Sequence, residues 1–360
     1  LIPPGARGKA PSADGCCAVP PRERHVSVTN SSRIAESWLA ELERITQAGL
    51  LREAVCAQGR DTATIELDGR SLLNFSSNDY LGLTLHPRVV EAAREAASRW
   101  GTGVGASRLV CGSLDLHREL EDALARFKDT EAALVFSSGY LAALGVIQTL
   151  AVRRDGTTIP VFFDRLSHAS MVDAARHCGA PWRSFAHNDP ESLERLLKKY
   201  SMRHAGTAVG NGGPAVPASG SDSPVPAAVV ITEGVFSMDG DMAPLPDLLA
   251  VCERWGAVLV VDDAHGTGTV GPAGRGSVAH FGLSPDSSPH LIQMGTLSKA
   301  LGAQGGFIAG PGVLIRLLVN RARPFIYDTS LAPPAVAAAR EALRIVEEEP
   351  SRIESLKTNA

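Results

Sequence analysis

Four short apolar runs, at 132–136, 161–163, 228–232 and 257–262, are separated by stretches with helical spacing at 139–150, 169–177 and 246–255. This pattern narrows the possible folds more than any other feature of the chain. A strand that is apolar at successive positions, not at every second one, is buried on both faces. Strands of that kind separated by helices build a mainly parallel sheet with helices on both sides, an α/β architecture. Nothing repeats at a fixed period, which excludes a solenoid.

Further spacing marks a helix at 36–52, a hairpin at 62–75 turning at Asp68-Gly69, and helices at 87–100, 115–127 and 334–349. Residues 1–33 are rich in Pro, Gly, Ala and Arg without period and read as a disordered extension. Residues 201–227 read as a low-complexity surface insertion. We divide the chain into that extension, a helix and hairpin segment at 34–75, a large domain at 76–335 and the start of a further domain at 336–360.

With 360 residues and a net charge of −4, the chain lacks the basic balance of a nucleic-acid binder. No apolar run reaches membrane-spanning length, since even 257–261 stops at Asp262. The six cysteines form no C-x-x-C pair, so neither a metal site nor a disulfide framework is expected. A cytoplasmic location follows. An organellar leader stays open, because the sequence starts at Leu1 without methionine.

Gly266-Thr267-Gly268-Thr269-Val270-Gly271 matches the dinucleotide pattern G-x-G-x-x-G. That pattern works only where its glycines open a helix, and Pro272, Gly274 and Gly276 follow at once. We read it as a loop.

The chemistry-bearing residues collect at strand ends, where ligands of open α/β sheets bind. Lys299 lies in Gly295-Thr296-Leu297-Ser298-Lys299-Ala300-Leu301-Gly302, a small-residue setting that suits an imine-forming amine. Asp262 closes a strand, where a carboxylate pairs with a pyridine nitrogen. His265 follows it by three residues. His168 sits between a strand and a helix, placed to lie over a ring. Ser138-Gly139-Tyr140 opens a helix after a strand, an arrangement that binds phosphate. Thr296 adds a hydroxyl there, and Ser237 lies just beyond another strand. Taken singly, each has an ordinary alternative: a surface lysine, a loop carboxylate, a capping histidine, a turn glycine or serine. Together they describe a pyridoxal phosphate site.

The motifs as a set resemble the α-oxoamine synthases. They are Asn74-Phe75-Ser76-Ser77-Asn78-Asp79-Tyr80-Leu81-Gly82-Leu83, the stretch from Asp164 to Ser170, Thr232-Glu233-Gly234-Val235-Phe236-Ser237-Met238-Asp239-Gly240-Asp241, Val261-Asp262-Asp263-Ala264-His265-Gly266 and the Lys299 segment. The resemblance runs from about residue 34 to 349 and implies the aspartate aminotransferase-like fold of pyridoxal phosphate transferases. Such a fold has a mainly parallel, seven-stranded type of sheet with helices on both faces. It also implies roles: Lys299 binds the cofactor covalently, Asp262 faces its ring nitrogen and His168 stacks on its ring. Ser237 and His265 lie near its phenolic oxygen, and Gly139, Tyr140 and Thr296 hold its phosphate.

Arg52 and Asn78 correspond to substrate-side residues of the family. Thr329, with Ser330, corresponds to residues that reach the cofactor phosphate of a second copy in a homodimer. The motifs Phe185-Ala186-His187-Asn188-Asp189 and Gly240-Asp241-Met242-Ala243-Pro244-Leu245 point to the branch that joins L-alanine to a pimeloyl thioester, either an acyl-CoA or an acyl-carrier protein. Branches pairing other amino acids and acyl groups, and a non-catalytic subunit, are the alternatives. The family continues into a C-terminal α+β domain carrying an arginine for the amino-acid carboxylate. With that small domain truncated, the chain is expected to bind cofactor without turning over.

Overall fold

The computed structural model describes residues 31–61, 63–204, 226–284 and 288–360. Residues 1–30 of the N-terminal extension and 205–225 of the insertion lie outside these. Two compact units are present, Leu1–Ala57 and Gln58–Ala360. The first contains helix α1 (Ser31–Gln47), which ends where Gly49 takes a left-handed φ of 66°. Arg52 lies beyond it in an exposed segment without regular secondary structure.

The second unit opens with a small antiparallel sheet, β1 (Gly59–Arg60), β2 (Thr64–Leu67) and β3 (Arg70–Leu73). Helix α2 (Pro87–Trp100) starts with proline at its first position, where no backbone N–H is needed, and His86 caps it. Helix α3 (Asp115–Lys128) then leads into β4 (Ala132–Phe136) and α4 (Gly139–Ala151). There follow β5 (Val161–Asp164), α5 (Ala169–His177), β6 (Trp182–Phe185), α6 (Pro190–His204), β7 (Val229–Glu233), α7 (Leu245–Trp255) and β8 (Val258–Asp262). After the short α8 (Ser277–His280) come β9 (Leu291–Thr296) and β10 (Gly306–Gly310). The chain ends with α9 (Gly312–Arg321), α10 (Arg323–Ile326), α11 (Pro333–Glu348) and α12 (Ser351–Asn359).

Seven strands form one sheet in the order β4-β10-β9-β8-β7-β5-β6. β10 alone runs antiparallel to its neighbours, so the other six deliver their carboxyl ends to the same edge. The unbroken apolar runs fill both faces. Leu134, Phe136, Val229, Ile231, Val258 and Val260 pack with α4 and α5, whereas Val230, Leu259 and Val261 pack with α7 on the other side. The sheet is therefore mixed through one strand, and otherwise parallel as the sequence indicated. No helix among the described residues is long and apolar enough to cross a membrane.

Candidate active site

Strand alternation decides which side chains meet at the carboxyl edge. Val258 and Val260 face α4, so Asp262 does too. By the same count Glu233 on β7 and Thr296 on β9 share that side. The first turn of α4 closes over them. Gly306 on β10 permits this, because a Cβ there would lie 2.5 Å from the backbone of Gly139. The result is a cavity of about 240 Å³ whose lining includes Gly139, Tyr140, His168, Asp262, His265, Thr296 and Lys299. Glu233, Ser138, Ser170 and Ser298 also line it.

Lys299 follows β9 in a tight turn in which the Gly302 N–H donates to its carbonyl at 2.8 Å. Its Nζ lies 2.6 Å from His265 Nε2, and His265 Nδ1 lies 2.7 Å from the Tyr80 hydroxyl. Tyr80 in turn donates to Asn78 Oδ1 at 3.1 Å. One assignment satisfies all three contacts: Lys299 donates to Nε2, Nδ1–H donates to Tyr80, and Tyr80 donates to Asn78. Burial lowers the Lys299 ammonium below the usual lysine range, against the pull of Asp262 and Glu233. Burial and the neighbouring Lys299 charge hold His265 down at about 4, so its ring is neutral. His168 caps α5 by accepting from the Ser170 N–H. Partial burial, then the Lys299 charge, lowers its basicity.

Burial pushes Asp262 up to about 6, with Lys299 opposing the rise. Apart from the Ala264 N–H at 3.0 Å, the Asp262 carboxylate has no hydrogen-bond donor among the described residues. A buried carboxylate so placed is suited to a cationic ring N–H. Across the cavity, Ser138 caps α4 by accepting from the Leu141 N–H at 3.2 Å. The first amides of α4, at Gly139 and Tyr140, have no acceptor within the helix. Both residues share the cavity wall with Thr296 and Ser298, whose hydroxyls are 2.7 Å apart. An anion-binding helix end, a buried carboxylate and a lysine around one cavity fit pyridoxal phosphate. No cluster of three or more His, Cys, Asp or Glu among the described residues could hold a metal.

The other sequence candidates are not among the residues lining this cavity. Ser237 is exposed on the loop after β7, and its N–H lies 3.3 Å from Glu233 Oε2. Asn78 reaches the cavity only through Tyr80. Thr329 lines a separate small pocket, where its carbonyl accepts from Ser137 Oγ. Arg52 belongs to the other unit.

Asp263 alternates to the opposite face of the sheet. There it meets Lys128 at the end of α3, 2.6 Å away, with both side chains fully buried. Its other oxygen accepts from the Ser277 N–H and Oγ at 3.0 and 2.6 Å. The glycine-rich loop wraps this carboxylate: a Cβ at Gly266 or Gly276 would lie 2.1 or 1.7 Å from it. The residues of the apparent dinucleotide pattern thus enclose an internal aspartate and open no long helix.

A second polar cluster ties down the neighbouring loops. His187 bridges Asp164 at 3.0 Å and Asp241 at 2.8 Å. Burial disfavours its charge, but the two carboxylates outweigh that and raise its pKa. The resulting stability is complete below the unfolded value of about 6.5 and is lost as pH rises through the higher folded value. We expect the wild type to lose about 1 kcal/mol between about pH 6 and pH 9 that His187→Gln does not lose. Urea midpoints of both proteins at the two pH values measure this.

The model of the family described as aminotransferase class I and II matches residues 70–360. An 8-amino-7-oxononanoate synthase of Geobacter sulfurreducens is 45% identical over 314 residues, 87% of this chain and 73% of that protein. A serine palmitoyltransferase from S. paucimobilis, solved with a bound PLP–myriocin aldimine, is 31% identical with a TM-score of 0.75, over 92% of this chain and 76% of that one. An 8-amino-7-oxononanoate synthase structure from Francisella tularensis has 26% identity and a TM-score of 0.61, over 79% and 72%. On these matches the chain belongs to the aminotransferase class I and II family of pyridoxal phosphate enzymes, in its α-oxoamine synthase group.

Proposed function

We propose that the chain is an 8-amino-7-oxononanoate synthase, a pyridoxal phosphate-dependent acyltransferase of biotin synthesis. It joins L-alanine to a pimeloyl thioester, of CoA or of a carrier protein, and releases CO2 and the free thiol. The supporting observation is a single cavity in which Lys299, Asp262, His168 and the α4 N-terminus converge, in a chain 45% identical to a protein of that name.

Bound pyridoxal phosphate supplies an electron sink for bonds broken at the amino-acid α-carbon. Lys299 would hold the cofactor, and its amine, once free, would take the α-proton of alanine, a role favoured by its lowered pKa. Asp262 would supply a negative charge to the ring nitrogen. His168 would lie against the ring and orient the amino-acid carboxylate. The α4 amides, with Thr296 and Ser298, would bind the phosphate, and Ser237 and His265 would serve the phenolic oxygen. On the substrate side we assign Arg52 and Asn78, and we assign Thr329 and Ser330 to the phosphate of a second copy in a homodimer.

The fold likeness to serine palmitoyltransferase supports a second reading, with serine and a longer acyl chain. Thiol release, measured for this and the variants below on a protein that includes the family's C-terminal domain, separates the two. Alanine, glycine and serine are each paired with pimeloyl-, succinyl-, acetyl- and palmitoyl-CoA. We expect alanine with pimeloyl-CoA to give the highest kcat/KM; a preference for serine with palmitoyl-CoA would replace the first reading by the second.

A further inference from the structure

Glu233 has no role in the chemistry above, yet its side chain reaches the cavity wall. It is the last residue of β7 and the register partner of Asp262 on β8, so the two carboxyls stand side by side on one face of the sheet. They are 2% and 6% exposed, which removes the solvent that would let both ionise. The groups facing Glu233 are Asp262 from β8, Lys299 from the turn after β9, and the His168 and Ser237 backbone amides. Lys299 is the single cation among them. The next acidic residue, Asp263, is turned to the other face and taken up by Lys128. The two oxygens of Glu233 also differ. Oε2 lies 3.3 Å from the Ser237 N–H, whereas Oε1 is buried without a hydrogen-bond partner among the described residues.

A carboxylate oxygen left unpaired in such a place is far more costly than a neutral carboxyl one. We propose that Glu233 works as a neutral carboxylic acid in the wall of the cofactor cavity, leaving Asp262 as the one anion of the strand-end pair. Glu233 is thus a positioning residue: its neutrality spares Asp262 a second negative charge that would compete for Lys299 and for a cationic ring N–H. Burial, followed by the Asp262 charge, raises Glu233 to about 7, which puts the transition within a range that binding experiments reach. The inference rests on the cofactor site and is independent of the choice of amino acid and thioester.

Glu233→Gln is the discriminating variant, because a carboxamide keeps the shape, cannot ionise and still donates. The affinity of cofactor-free wild type and variant for pyridoxal phosphate is titrated by absorbance from about pH 6 to about pH 9. The cofactor carries net negative charge, so ionised Glu233 weakens its binding. The ratio of wild-type to variant dissociation constants is expected to rise about tenfold by about pH 8 and up to about a hundredfold by about pH 9, each pH unit past the transition being a factor of ten. A ratio that stays constant, including a variant uniformly weaker at every pH, overturns the proposal.

A measurement on the wild type stands whether or not the variant folds. In protein labelled only at glutamate carboxyl carbons, one resonance should titrate near pH 7 while the remainder titrate in the usual carboxylate range. If every glutamate is already ionised at about pH 6, the proposal fails.

Discussion

Replacing Lys299 by alanine is expected to abolish the absorption band of lysine-bound cofactor and to lower turnover by about four orders of magnitude or more. Two functions leave with one amine: the covalent hold on pyridoxal phosphate and the base for the α-proton. The surroundings explain why no neighbour substitutes. Burial leaves His265 a weak base with Nδ1 tied to Tyr80, His168 is committed to capping α5, and Tyr80 is reached only through His265. Adding pyridoxal phosphate to the purified variant and recording its spectrum tests the first function, and thiol release tests the second. An unchanged band would remove Lys299 from its assigned place. The cavity walls are otherwise intact in this variant, so noncovalent cofactor binding should persist.

Lys128→Met is expected to destabilise the protein by about 3–5 kcal/mol, the usual consequence of removing one partner from a buried ion pair. Asp263 would keep its bonds from Ser277 and Thr267 but lose its counter-charge in a place without water. The double variant Lys128→Met/Asp263→Asn, which removes both charges, should recover a large part of the loss. Denaturant unfolding of the wild type and the two variants measures the difference. A single-variant cost below about 1 kcal/mol would show that the pair is incidental. The cost should appear without cofactor, which separates it from the Lys299 effect.

The sheet was legible because parallel strands covered on both faces carry unbroken apolar runs, and β4, β5, β7 and β8 do. β6 and β10 were not. Trp182-Arg183-Ser184-Phe185 is an edge strand with mixed polarity, and β10 begins and ends in glycine, the residue with least preference for strands. The α2 and α5 boundaries at 87–100 and 169–177 follow from Pro87 and from capping residues that sequence alone exposes.

In the cavity, the rule that strand ends carry ligand-binding groups found Asp262. Applied equally to β7 it would have found Glu233, which stands one strand away in register. Tyr80 had no such signal, since it lies 185 residues from His265 and only the folded chain joins them. Lys128 carries no such signal either, since a basic residue at a helix end is ordinary. Nothing local tells that its partner is Asp263, 135 positions later.

The adjacent aspartates at the end of β8 have a consequence for how the strand is seated during folding. Sliding a strand by one residue exchanges its two faces. Here the slide would exchange Val for Leu or Val, and Asp262 for Asp263, so polarity alone scarcely distinguishes the right seating from the wrong one. Shape distinguishes them. Gly234, Gly266 and Gly276 leave room for a carboxylate on the Lys128 side, and the cavity beneath α4 takes the other. These glycines therefore act as a steric gauge that tells two chemically identical side chains apart.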